Sequence, residues 1–362
     1  MTTALLNQAV RDRVFPGCAF SILVDGSERP LWQAAGAVGR FTYEINSSSV
    51  VPDTIFDLAS LTKVLATTPA AMLLYDRGLL PLDAPLVEWL PAFEGASADP
   101  RRRSVSVRML LDHSSGLPGY VRLFESASSR DALIAAALRQ PLTADPGTQT
   151  EYSDIGFIIL GHLIETIAGE RLDSYCRREI FLPLGMSTTR YCPDEALRAL
   201  IPPTEIDRSF RHSMIQGEVQ DENASVMDGV SGHAGLFSNV ADPLRFASCI
   251  LAGGLTVSGE RLFTAQAIAQ FAQVANRPPG TSRALGWDTP SAPSSSGSFF
   301  SRHSIGHLGF TGTSLWIDLE ARLAIVLLTN RTWPDRSNQA IRALRPRFHD
   351  VLRREISAGN GG

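Results

Sequence analysis

The chain has 362 residues, 44% hydrophobic and 19% charged, which suits one large or two closely packed globular domains and excludes a disordered or fibrous chain. A formal net charge of -4 gives no general attraction to phosphate backbones or anionic membrane surfaces, so neither nucleic acid nor a membrane is expected as a partner. The basic run Arg101 to Arg103 reads as a solvated loop.

The first residues, MTTALLNQAVRDRVFPG, place Arg11, Asp12 and Arg13 where a secretory leader needs an unbroken apolar stretch, and a cytoplasmic location is expected. Ala19 to Val24 reads as a strand, Asp25 to Pro30 as a polar turn and Leu31 to Ala35 as the partner strand. Helical period then appears at Ser60 to Asp76, Asp131 to Leu138, Ile155 to Ala168, Asp242 to Leu251 and Ala265 to Val274. Thr289 to Ser301, rich in Ser and Pro, is a loop ahead of a Gly-rich segment. Ser314 to Asp318 and Leu323 to Thr329 form a second hairpin through Leu319 to Arg322, and a helix over about Ser337 to Ile356 closes the chain. Even the best apolar run, Leu323 to Leu328, has strand length rather than membrane-spanning length.

Strands at both ends with helices between them predict an α+β fold: an antiparallel sheet built from both chain ends and flanked by helices, with a mainly helical inserted domain. The expected partition is residues 1–80 and 230–362 for the sheet part and 81–229 for the helical part. Cys18, Cys176, Cys192 and Cys249 lack CxxC spacing and read as buried free thiols. HExxH, GxxxxGK[ST] and GxSxG are absent, and neither a metal nor an organic cofactor is expected.

Lys63 is the only lysine in the chain; every other basic residue of the Lys+Arg count is arginine. Codon bias toward arginine accounts for the surface, where a solvated cation suffices. It leaves lysine where an amine is needed, because arginine does not lose its proton, whereas desolvation and nearby cations can lower a lysine pKa from about 10.4. Ser60 precedes Lys63 by one helical turn, so hydroxyl and amine share a face in an SxxK arrangement. Phe56, Leu58 and Ala59 lead into that helix start, where backbone N–H groups would meet an oxyanion. On these residues alone, Ser60 as an N-cap and Lys63 as a surface cation stand on equal footing.

The wider context carries more. FDLASLTKVLATT (56–68), VRMLLDHSSGLPGY (107–120), PGTQTEYSDIGFIILGHLIETIAGE (146–170), IFLPLGMSTT (180–189), GVSGHAGLFSNVADPLRFA (229–247) and GHLGFTGTSLWID (306–318) occur in an order that resembles the class C β-lactamase family and its DD-peptidase and esterase relatives. That resemblance implies an active site at the junction of the sheet and helical parts. It implies Ser60 as nucleophile, Lys63 as its proton partner and Tyr152 as the second general base or acid. A tyrosine beside a lysine cation can have its pKa lowered from about 10. His307, Leu308 and Gly309 fall where the family has Lys-Thr-Gly, and the main chain near Phe310 should complete an oxyanion hole with the Ser60 N–H. Gly309 and Gly312 would allow close backbone approach.

Two departures limit the inheritance. Asp154 stands where Asn is usual, and a carboxylate cannot donate to a substrate carbonyl unless protonated. Pairing with Lys63 is its alternative use. Leu308 lacks the hydroxyl that helps hold the carboxylate of penicillins and peptides, although His307, once protonated near its ordinary pKa of about 6.5, would offset that loss. His233 reads as structural, Val219 to Asn223 has no assigned role, and Ser114 and Ser115 read as turn and capping residues.

The resemblance implies a serine hydrolase working through an acyl-enzyme on a small-molecule ester, amide or lactam. An esterase is favoured over a true β-lactamase, and a DD-peptidase ranks third. A catalytically silent binding or sensor protein of the same fold is the rival, given weight by Asp154 and Leu308.

Overall fold

A computed structural model of the protein describes residues 1–25, 32–95, 99–275 and 278–359. Five antiparallel strands form its main sheet, in the spatial order Trp32–Gly39, Gly17–Val24, Leu323–Thr329, Ser314–Asp318 and Ser304–Leu308. The two chain ends meet at its centre, where Cys18 pairs with Thr329 and Val24 with Leu323. This is the α+β arrangement expected from the sequence, and the hairpin Ser314–Asp318 to Leu323–Thr329 has the expected bounds. Residues 26–31, the expected first turn and Leu31, lie outside the described residues.

Both faces of the sheet are covered, and period-2 alternation sorts its side chains between them. Cys18, Phe20, Ile22, Trp316, Ile325 and Leu327 pack against the two terminal helices, Thr2–Arg11 and Ile341–Gly359, through Leu6, Ala9, Ile341, Leu344 and Phe348. Ala19, Leu23, Leu315, Ile317, Val326 and Leu328 face the larger core shared with the inserted helices. A strand buried on both faces loses its polar alternation, which is why Leu323 to Leu328 reads as one apolar run. The N-terminal helix was not anticipated; its Thr2 amide donates to Glu355 of the terminal helix (2.8 Å). Among the described residues no helix is long and apolar enough to cross a membrane.

Several local expectations change. The helix expected over Ser60 to Asp76 contains a π-turn at Lys63–Thr67 before an α-helix at Thr68–Asp76, with the Thr68 N–H donating to the Lys63 carbonyl. Pro69 has no N–H for the carbonyl four residues back, so the ladder slips by one residue here. Arg101 to Arg103 lie in a 3-10 turn, Pro100–Ser104, rather than a solvated loop. Arg102 is fully buried, donating to the carbonyls of Phe93, Leu138 and Gln140. Cys192 is exposed, whereas Cys18, Cys176 and Cys249 are buried free thiols as expected. A two-residue strand, Phe56–Asp57, pairs with Leu236–Ser238 and fixes the approach to Ser60; so short an element leaves no period in the sequence.

Candidate active site

The turn into Ser60 is built by Asp57. One of its carboxylate oxygens accepts the Ala59 N–H (2.8 Å) and the other the Gln220 N–H (2.7 Å). Those bonds hold Ala59 at φ 48°, a conformation unusual for a residue with a Cβ, and the Thr62 hydroxyl caps the Ala59 carbonyl at 2.6 Å. Burial pushes the Asp57 pKa up to about 6 despite the two N–H donors. The bend delivers Ser60, half-buried, onto the wall of a cavity of about 740 Å3.

Below Ser60, Lys63 is 0% exposed and its three protons each have an acceptor: Ser60 Oγ (3.1 Å), Asp154 Oδ1 (2.7 Å) and the His233 carbonyl (3.0 Å). Burial pulls the lysine pKa down, but the adjacent Asp154, with Tyr152, more than reverses this and leaves it above its ordinary value. Lys63 therefore rests as an ammonium, not as the free amine expected from desolvation alone. Asp154 takes the pairing alternative: at the first turn of helix Asp154–Ala168, capped by Ser153 through the Gly156 N–H (2.9 Å), it is the counter-ion of Lys63. It does not stand as an unpaired charge across the cleft.

Tyr152, half-buried, stands beside Lys63 and Ser60 on the cavity wall. Its ring lies 4.8 Å from that of His113 and 5.7 Å from that of His307, with the Lys63 Nζ 4.9 Å from its centroid. The expected lowering of its pKa does not occur. Burial raises it and Lys63 offsets only part of the rise, so Tyr152 rests as a neutral phenol.

Opposite lies the edge strand Ser304–Leu308. His307 is 3% exposed, and its Nδ1–H donates to the Leu308 carbonyl (2.8 Å). Burial, reinforced by Lys63 and Arg283, holds its pKa well below 6.5, so the protonated His307 expected to assist carboxylate binding is not formed near neutral pH. Beyond Leu308 the chain is fastened to the serine turn: the Thr311 hydroxyl donates to the Asp57 carbonyl (2.8 Å) and that of Thr313 to the Leu58 carbonyl (3.0 Å). Gly309 permits this closeness, since a Cβ there would lie 1.9 Å from Thr313 Oγ1 and 2.6 Å from the Leu58 oxygen. Neither the Ser60 nor the Phe310 N–H donates to any described residue, which leaves both free for a ligand.

Seven of the eight residues singled out from the sequence, Ser60, Tyr152, Asp154, His307, Leu308, Gly309 and Phe310, line this one cavity, and Lys63 sits directly beneath Ser60. His233 has the structural character expected: its ring is held by Ser231 (2.7 Å) and Asp221 (2.8 Å), and its carbonyl holds Lys63. Asp221 gives the segment Val219 to Asn223 a role as the partner of that ring. The hydroxyls of Ser114 and Ser115 make local turn bonds, with Asp112 and the Leu117 N–H. Sequence reasoning missed the cavity arginines, Arg283, Arg331, Arg336, Arg342 and Arg345, because nothing distinguishes them among so many arginines. The buried acids Glu205, Asp207 and Glu222 cluster closely enough to hold a cation, but Arg336 pairs with the two glutamates and Arg211 with Asp207, so their charge is already answered.

A sheet assembled from both chain ends, helices inserted between them, and an SxxK serine at the junction define a β-lactamase/transpeptidase-like α+β protein. The Beta-lactamase family model matches residues 3–346, and the chain belongs to that family of serine hydrolases. A Bacillus subtilis (strain 168) protein named N-acetylmuramyl-L-alanine amidase is 33% identical over 350 residues, 88% of this chain and 77% of its own length. A protein of Escherichia coli O157:H7 named putative D-alanyl-D-alanine carboxypeptidase is 30% identical over 349 residues, 88% of this chain and 79% of its own. Among solved structures, that titled "EstCE1, a hydrolase with promiscuous acyltransferase activity" superposes with a TM-score of 0.73 at 22% identity, covering 96% of this chain and 97% of that one.

Proposed function

We propose that this protein hydrolyses small acyl compounds through an acyl-enzyme on Ser60. The observation that carries the reading is a serine hydroxyl hydrogen-bonded to the chain's only lysine, with the half-buried phenol of Tyr152 beside that lysine, on the wall of a ligand-sized cavity. Asp154 supplies the base that a resting ammonium lacks. Moving one proton across the 2.7 Å from Lys63 to Asp154 gives a transient amine, the form that can take the Ser60 proton. The amine takes the Ser60 proton as Oγ bonds to the acyl carbon, and the carbonyl electrons move onto the oxygen held by the Ser60 and Phe310 N–H groups. Tyr152 protonates the leaving group as its bond to carbon breaks. It regains a proton from Lys63, which recovers its own from Asp154. Deacylation runs these steps backwards with water in the leaving group's place: water gives a proton to Tyr152 as its oxygen bonds to the acyl carbon, the acyl–Oγ bond breaks, and Lys63 returns a proton to Oγ as the acid leaves.

Within this reading esters are the favoured substrates. Leu308 offers no hydroxyl to a substrate carboxylate, and Tyr120, Phe310 and Ile341 give the cavity apolar walls suited to an acyl chain. A second reading, a carboxylate-bearing amide, is supported by Arg342, an exposed cavity arginine with no side-chain partner among the described residues. The names of the Bacillus and Escherichia relatives agree with it. The test has two stages. A fluorophosphonate should add to the peptide carrying Ser60 and not to Ser60→Ala; no labelling of the folded wild type sinks the acyl-enzyme and favours a silent binding protein. kcat/KM for nitrophenyl butyrate should then exceed that for nitrocefin and for an acylated D-alanyl-D-alanine, and the reverse order replaces the ester reading with the second.

A further inference from the structure

Two arginines lie behind the loop that follows Leu308, and neither meets a carboxylate among the described residues. Arg345, 5% exposed on the terminal helix Ile341–Gly359, donates to the carbonyls of Gly309 (2.7 Å), Thr313 (2.9 Å) and Gly312 (3.3 Å). Arg331, 3% exposed, donates to those of Phe310 (2.6 Å), Asn338 (2.6 Å) and Arg336 (2.8 Å). Burial without a counter-ion, with Arg342 nearby, lowers the pKa of both. A buried cation of this kind is costly, and a neutral donor would tie down a loop at less expense.

The positions of the bonds give the cation its use. The Gly309 carbonyl and the Phe310 N–H belong to one planar trans peptide unit and point in opposite directions. A guanidinium 2.7 Å from that oxygen fixes the orientation of the unit and draws electron density toward the oxygen, which strengthens the N–H as a donor on the cavity side. We propose that Arg345 is a positioning residue for the oxyanion site, aiming and polarising the Phe310 N–H through the Gly309–Phe310 peptide. The inference rests on the acyl-enzyme reading above and adds a residue that acts through the Gly309–Phe310 peptide. Arg331 fixes the next peptide unit through the Phe310 carbonyl, so the donor is clamped on both sides.

The test uses 31P NMR of the full chain after fluorophosphonate labelling, since the phosphoryl oxygen of the adduct occupies the oxyanion position. The native wild-type adduct should resonate away from the same adduct in denaturant. If it does not, the oxyanion reading itself falls. Arg345→Met should move the resonance toward the denatured value and lower kcat for nitrophenyl butyrate about 10- to 100-fold, below the loss for deleting an oxyanion donor outright, with KM within about threefold. Arg345→Lys, which keeps the charge but not the fork, should recover part of both. If Arg345→Met does not fold, Arg345→Gln is read in its place, as it removes the charge and keeps one donor. A wild-type resonance and wild-type kcat in the folded Met or Gln variant, beside a shifted wild-type adduct, overturns the role of Arg345 alone.

Discussion

Lys63 Nζ lies 2.7 Å from Asp154 Oδ1 with the lysine fully buried, so the one lysine in the chain is held as a cation by a residue 91 positions away. Asp154→Asn removes the largest influence that keeps Lys63 charged. In the wild type the folded pKa lies above the unfolded value, so this group's stabilisation is complete below about pH 10.4 and is lost as pH rises through the raised value. In the variant burial dominates and the folded pKa falls below the unfolded one, so stability rises with pH over the range beneath 10.4. Asp154→Asn should be less stable by about 3 kcal/mol near pH 7, the usual cost of breaking a buried pair, and the gap should narrow toward pH 10. Denaturant melts at three pH values check this, and a gap that stays constant contradicts the pairing.

Lys63→Arg keeps a cation beside Asp154 but cannot release a proton, so it should lower the rate of Ser60 labelling by at least about 100-fold. Labelling is followed by intact mass, with a circular dichroism spectrum to establish folding. Retention of most of the wild-type rate would show that Lys63 serves only to hold charge.

His307 is buried and neutral, its Nδ1–H already committed to the Leu308 carbonyl. KM for a carboxylate-bearing ester should therefore show no inflection near the ordinary histidine pKa of about 6.5. A KM that rises as pH passes through that value, in wild type but not in His307→Gln, would restore the carboxylate-binding role that the sequence suggested.

Gly309→Ala places a methyl group against Thr313 Oγ1 and the Leu58 oxygen. Either the Thr313–Leu58 bond breaks or the loop withdraws from the serine turn, and both misplace the Phe310 N–H. The expected loss in kcat is about 100-fold, in line with removal of one oxyanion donor. A crystal structure or labelling rate indistinguishable from wild type would count against the close approach.

Arg102→Met should destabilise the protein by about 3 kcal/mol, because it leaves the buried carbonyls of Phe93 and Leu138, and the part-buried one of Gln140, without their donor. The guanidinium also lies 3.9 Å from the Phe93 ring, contact that methionine replaces only in part. The urea midpoint measures the effect, and kcat at a temperature where the variant stays folded should be unchanged.

The sequence by itself determined the class and most of the constellation. The unbroken apolar run at Leu323–Thr329 and the period-3.6 pattern at Asp154–Ala168 are local properties, set by burial of both faces or of one, and the solitary Lys63 one turn after Ser60 is visible in the sequence itself. Tertiary structure decided the charges. Whether Lys63 is amine or ammonium, Tyr152 phenol or phenolate, and His307 neutral or cationic depends on distances to Asp154, to one another and to solvent, which no spacing encodes. Asp154 counted as a departure while its partner was unknown, and its meaning came from helix Asp154–Ala168 presenting it to Lys63. The roles of Arg102 and Arg345 were invisible for the same reason: an arginine that serves backbone carbonyls is recognised by which carbonyls the fold brings to it, and those belong to residues distant in the chain.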